Sequence, residues 1–198
     1  SRQREPERIA VDFASFVPEV LELLHTYLPS NITLQYDHVP DTKPVLADPA
    51  QMQQVLLHLC ANAEHAMRDT GGVLAIRVEP FEVDSTFATT HPPLHPGPHV
   101  QITVRDTGHG MPPEILARLF EPFFTTKGVG EGTGMGLAIV EGIVARHEGI
   151  ITVQSQPETG TTCTIYLPRA TAAPATVVRP DVLHLRGTER ILFVDDEA

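Results

Sequence analysis

Residues 106–137 read DTGHGMPPEILARLFEPFFTTKGVGEGTGMGL, and they constrain the fold more than any other stretch of the chain. The segment opens on Asp106, passes Gly108 and Gly110, and reaches a second run holding Gly130, Gly132, Gly134 and Gly136 that leads straight into an apolar helical pattern. Asp106 supplies a carboxylate able to accept a hydrogen bond from the amino group of a base. Gly108 and Gly110 have no Cβ, so the backbone can turn tightly and lie against a flat ring. The second run gives the same freedom where phosphates must be wrapped, and the helix it opens points unpaired N–H groups at the anion. This pattern is that of a nucleotide site.

An upstream helix supports that reading. Asp48-Pro49-Ala50-Gln51 combines a capping residue, a proline at the first helical position and a glutamine placed to bond back to the cap, and predicts a helix over residues 48–68. Met52, Leu56, Leu59, Ala63 and Met67 make its apolar stripe, while His58, Asn62 and His65 share an adjoining face. Asn62 offers a hard, neutral carbonyl oxygen, which suits a Mg²⁺ that takes its other oxygens from phosphates and water. The alternative is an ordinary polar face turned to solvent.

The remaining elements follow from periodicity and punctuation. Alternation predicts strands over residues 9–13, 31–36, 44–47, 73–83 and 100–105, and a helical pattern covers 16–28 until Pro29 stops it. Residues 84–98 run through most of HPPLHPGPH, which ends at His99; the prolines forbid a helix that would align His91, His95 and His99, so the segment reads as an extended surface connector. A short helix ends near Leu119, and Phe120, Phe123 and Phe124 can anchor a glycine-rich lid carrying Lys127. A helix over 134–147 stops at Gly149, and 150–155 and 161–167 form a hairpin across Pro-Glu-Thr-Gly.

Composition bounds the rest. The chain has 198 residues, 41% of them hydrophobic, enough for one core. No apolar run approaches the roughly 18 residues of a membrane span, and the N-terminal SRQREPER lacks the apolar core of a secretion signal. Cys60 and Cys163 are too few for a disulfide framework, so a cytoplasmic setting is expected, although a parent protein can still be membrane-anchored. A net charge of −11 excludes nucleic acid as a partner. It does not exclude a mononucleotide, whose phosphates Mg²⁺ and backbone dipoles can hold.

HLCANAEHAM, DTGHGM, FEPFFTTK and GEGTGMGL, followed by GTTCTIYLP, resemble the Asn box, first glycine box, Phe box, second glycine box and closing strand of a sensor histidine kinase. The resemblance implies an α/β two-layer sandwich of the Bergerat type: a mixed sheet with helices on one face and a glycine-rich ATP lid, shared with gyrase-type and heat-shock chaperone ATPases. By position it implies Asn62 as the Mg²⁺ ligand, Asp106 as the partner of the adenine amino group, and His58 as a candidate catalytic residue. The ATP contacts it implies are Asn62, Ala66, Asp106, Gly108, Gly110, Met111, Lys127, Gly132, Thr133, Gly134, Met135, Gly136, Leu137 and Thr161. The reaction it implies is transfer of the ATP γ-phosphoryl group to a histidine on a separate dimerisation domain of a homodimeric parent.

Three positions depart from the family pattern. His58 stands where many members have the first Asn, His65 where a lysine is often found, and Cys163 where Phe is usual. The related hydrolytic ATPases carry a glutamate at the place of His58, so its absence favours a kinase over a hydrolase; a binding module without chemistry is the third possibility. Residues 1–10 resemble the exit of the dimerisation helices, 11–168 the catalytic domain, and 169–186 a linker rich in Ala, Thr and Pro. ERILFVDDEA, within 187–198, resembles the first strand of a receiver domain, with Asp195 and Asp196 as its Mg²⁺ ligands, and so implies a hybrid kinase. His25 lacks the acidic neighbour of a phosphoacceptor motif and is read as structural.

Overall fold

The computed structural model describes residues 7–126 and 133–170. In chain order these form β1 (Ile9–Val11), α1 (Phe13–His25), β2 (Ile32–His38), β3 (Val45–Ala47), α2 (Pro49–Met67), β4 (Gly72–Val83), α3 (Ser85–Thr90), β5 (Gly97–Asp106), α4 (Pro113–Leu116), α5 (Gly136–Arg146), β6 (Ile150–Gln156) and β7 (Gly160–Pro168). Five strands make one mixed sheet in the order β2-β4-β5-β7-β6, parallel between β2 and β4 and antiparallel elsewhere. β1 and β3 pair separately. Alternate residues of the sheet, among them Leu74, Ile76, Ile102, Val104, Ile165 and Leu167, are buried against the apolar faces of α1, α2 and α5. The expected two-layer α/β sandwich is therefore present.

Local chemistry moved some boundaries. Asp12 ends the first strand early because its side chain accepts from Ala14 N–H at 3.1 Å and caps α1 three residues ahead of the expected start. Pro18 lies inside α1 and has no N–H for the Ala14 carbonyl; the Tyr36 hydroxyl donates to that carbonyl instead, at 2.9 Å. Burial, with Asp12 and Asp37 nearby, pushes the Tyr36 hydroxyl up to about 12, so it stays a donor. β1 begins at Ile9 and pairs with β3, two residues ahead of the expected start of the domain.

The connector at 84–98 is not wholly extended. Asp84 accepts from Phe87 N–H at 2.7 Å and starts α3 ahead of the prolines. Phe87 packs edge-on against Phe81 and Tyr166, and with Val83, Leu94 and Ile150 these rings form a second small cluster. Tyr166 alternates with Ile165 and Leu167, which face the main core, so α3 covers the opposite side of the sheet. The threonines of STFATT are indifferent helix formers, and this tertiary contact decides the matter.

The start of α2 also differs from expectation. Asp48 Oδ1 accepts from Ala50 N–H and Gln51 N–H, as a cap should, but Gln51 does not bond back; its Oε1 is buried without a partner. Asp48 N–H donates instead to Nε2 of His147, at the end of α5, at 3.1 Å. Nδ1 of the same ring donates to the Ile143 carbonyl at 2.8 Å, so the geometry requires the neutral tautomer. Burial holds His147 below its usual 6.5; Arg8 and Arg146 add to this, while Asp48 and the Ile143 carbonyl oppose it. A group with a depressed folded value stabilises the fold above its unfolded value and loses that contribution as pH falls. The melting temperature of the domain should therefore fall with pH below about 6.5, and less steeply in His147→Gln. Truncation to His147→Ala should cost about 1–3 kcal/mol in chemical denaturation at neutral pH, because it orphans the Asp48 N–H.

Candidate functional site

β5 delivers Asp106 to the edge of the helical layer, where it is 6% exposed. Two backbone donors converge on one of its oxygens: Gly108 N–H at 2.9 Å and Thr161 N–H at 3.2 Å both reach Oδ1. Asp106 lines the cavity, and among the described residues no hydrogen bond of the protein reaches its Oδ2. Burial raises the carboxyl above its usual 3.8 even though both donors, and His109, pull it down. The desolvated carboxylate is thus short of partners and suited to a ligand N–H.

The turn after Asp106 is clamped from both sides. His109 N–H donates to the Ala66 carbonyl near the end of α2 at 3.2 Å, and Glu158 N–H donates to the His109 carbonyl at 2.9 Å. A Cβ on Gly108 would stand 2.6 Å from the Ala66 carbonyl oxygen; one on Gly110, whose φ is +63°, would stand 2.0 Å from that of Gln156. Sequence reasoning explained both glycines by the approach of a ring. In the fold, the close neighbours are the protein's own α2 and the β6–β7 turn, and neither glycine lines the cavity.

The cavity itself, of about 530 Å³, runs between α2, the sheet and the start of α5. Of the sequence-assigned positions, His58, Asn62, Ala66, Asp106, Met111, Thr133, Gly134, Gly136, Leu137 and Thr161 line it; Met135 does not. The polar stripe of α2 faces this cavity rather than bulk solvent, and His65 lines it too. Burial holds His58 below its usual 6.5, which keeps it neutral. At the α5 end, Met135 provides no side-chain cap, so the first N–H groups of the helix stand beside the cavity through Gly136 and Leu137. Phe123, in a left-handed conformation at φ 66°, donates its N–H to the Gly134 carbonyl at 3.0 Å and closes the base of the glycine-rich loop. Lys127, Gly130, Gly132, Asp195 and Asp196 lie outside the described residues.

The dimensions and polarity suit ATP. The Asp106 carboxylate matches an amino group, Val104, Met111, Leu137, Val153 and Cys163 offer apolar walls for a ring, and the start of α5 joins the lining through Gly136 and Leu137. Asn62 contributes an amide oxygen, which fits a Mg²⁺ that brings most of its oxygens with the phosphates. Among the described residues, no three His, Cys, Asp or Glu side chains gather as a metal cluster of their own. His109, Val153 and Cys163 escaped the sequence reading as cavity residues; Cys163 was taken as plain core. Burial, with the Asp106 charge nearby, pushes its thiol up to about 12, so it remains a protonated, apolar wall.

The family described as histidine kinase-, DNA gyrase B-, and HSP90-like ATPase matches residues 47–171. The chain belongs to this ATPase family. Its relatives within the family are sensor histidine kinases. The sensor kinase CckA of Brucella abortus (strain 2308) is 35% identical across 100% of this chain and 22% of its own length. The sensor histidine kinase ZraS of Salmonella typhimurium is 39% identical across 69% of this chain and 26% of its own. The chain thus spans less than a third of these curated relatives. Full-length ShkA in complex with AMPPNP superimposes with a TM-score of 0.68 at 26% identity, over 88% of this chain and 34% of that one. The nucleotide-free catalytic domain of ThkA gives 0.64 at 26% identity, over 82% and 96%. This member of the ATPase family is an ATP-binding catalytic domain of the sensor histidine kinase type. Among the described residues no helix is long and apolar enough to cross a membrane.

The strained ionisation of Asp106 separates binding from folding. A carboxyl whose folded value is raised stabilises the fold below its unfolded value and loses that contribution as pH rises, so at neutral pH the charge is a cost to the empty domain. Asp106→Asn keeps the oxygen that accepts from Gly108 and Thr161 but turns an NH₂ toward the cavity. Its melting temperature at pH 7 should equal or exceed that of the wild type, while its ATP affinity by calorimetry should drop at least ~10-fold for the lost charge-assisted hydrogen bond.

Proposed function

We propose that this domain works in the cytoplasm, binds Mg·ATP and transfers the γ-phosphoryl group to a histidine on a dimerisation domain of the same parent, a hybrid kinase that works as a homodimer with a receiver domain or response regulator downstream. The observation that carries the reading is one cavity lined by both Asp106 and, from α2, Asn62. Asp106 would hold the base, Asn62 would hold the metal that neutralises charge on the phosphates, and the start of α5 would face those phosphates. Phosphoryl transfer depends mostly on positioning and charge stabilisation, which are what such a site supplies. His58, neutral and one helical turn from Asn62, is the candidate to accept a proton at that end.

Hydrolysis is the competing use of the same fold. Among the described residues that line the cavity, Asp106 is the sole carboxylate, and its hydrogen bonds commit it to the base end. A second carboxylate to polarise water is missing at His58, which supports transfer over hydrolysis. In radiolabelled ATP assays the domain alone should therefore bind nucleotide without brisk turnover, and the parent's helix pair added in trans should acquire an acid-labile phosphohistidine. Asn62→Ala should cut that signal at least ~100-fold through loss of the metal ligand. Rapid turnover by the domain alone, lost in Asn62→Ala, would move the assignment to the hydrolytic ATPases.

A further inference from the structure

We propose that Ser155 sets the base specificity of the cavity by committing the hydroxyl proton of Thr161, so that the wall facing the base offers hydrogen-bond acceptors only. The inference rests on the reading of the cavity as an ATP site. Ser155 itself lies behind the wall: Thr161 lines the cavity and Ser155 does not.

Ser155 has a single proton to share among three contacts. Ser155 Oγ meets Met111 N–H at 2.8 Å, the Gly160 carbonyl at 3.1 Å and Thr161 Oγ1 at 2.9 Å. A serine hydroxyl has one proton and two lone pairs. Met111 N–H can only donate and the Gly160 carbonyl can only accept, so Ser155 spends its proton on Gly160 and one lone pair on Met111. The third contact is then satisfied by Thr161 donating into the remaining lone pair. Thr161 Oγ1, its proton used inward, turns lone pairs toward the cavity.

This oxygen works together with Asp106, because the backbone N–H of Thr161 is one of the two donors that hold Asp106 Oδ1. A carboxylate oxygen and an acceptor-only hydroxyl then share one lip of the site. The 6-amino group of a purine has two N–H donors to offer such a pair of acceptors, whereas a 6-oxo group has none and leaves only the ring N1–H beside it as a donor. A threonine free to rotate would offer its proton to the 6-oxo group and soften the rejection. Ser155 removes that option, which is discrimination through an unpaired polar contact with the wrong ligand.

Calorimetric dissociation constants for Mg·ATP and Mg·inosine triphosphate, its 6-oxo counterpart, test this in the wild type, Ser155→Ala, Thr161→Val and the double variant. The wild type should prefer ATP, and Ser155→Ala should narrow the preference about 10-fold, the scale of one hydrogen bond gained or lost. Thr161→Val should narrow it as well, Thr161→Ser should keep it, and in the Thr161→Val background Ser155→Ala should leave the ratio where it was. If Ser155→Ala weakens both nucleotides equally and keeps their ratio, Ser155 is only a structural tie and the inference is overturned. Should Ser155→Ala fail to fold, the Thr161 pair decides: an unchanged ratio in Thr161→Val overturns it. A wild type that does not bind ATP would instead sink the underlying assignment of the cavity.

Discussion

Everything at the site depends on a single carboxylate being held by one oxygen. Asp106 Oδ1 takes backbone hydrogen bonds from Gly108 and Thr161, residues far apart in sequence, and the side chain is nearly out of water. The fold thereby fixes the direction of Oδ2 without a competing side chain, at the cost of a desolvated charge whose ionisation is resisted. Such an arrangement is poor design for an empty domain and good design for one that receives an N–H donor.

Holding that oxygen requires three elements to meet. The end of α2 contributes the Ala66 carbonyl to His109, the β6–β7 hairpin contributes Glu158 N–H from its turn and the Ser155 hydroxyl from β6, and β5 supplies the aspartate. The same α2 runs along the cavity from His58 to Ala66, so the residues proposed for the base and those proposed for the metal meet one helix. His147 ties the start of that helix to the end of α5, whose opposite terminus faces the cavity. The helix expected to hold the metal and the helix expected to face the phosphates are thus joined at a point remote from both.

Much of this was legible in residue order. The two glycine clusters, the capped helix at Asp48 and the alternating strands placed the sheet, most helices and His58, Asn62, Asp106, Gly134 and Gly136 of the cavity, because these signals are local or periodic, while Ala66, Met111, Thr133, Leu137 and Thr161 came only from the family resemblance. What could not be read were contacts set by distant chain. α3 forms because Phe81 and Tyr166 shelter Phe87, which no propensity of STFATT announces. The bond to Asp48 N–H expected from Gln51 is made by His147, 99 residues after Asp48. Gly108 and Gly110 were recognised as necessary, but the backbone they yield to, at Ala66 and Gln156, exists only once the chain has folded.

The central claim is that Asp106 is a one-sided anchor, with Oδ1 held by the protein and Oδ2 kept for the base. A crystal structure of the domain with Mg²⁺ and a non-hydrolysable ATP analogue measures this directly. The account predicts Oδ2 within hydrogen-bond distance of the 6-amino nitrogen, with the Gly108 and Thr161 hydrogen bonds to Oδ1 unbroken. A base seated elsewhere, or an Asp106 side chain that has turned and released those two donors to reach it, would contradict the claim.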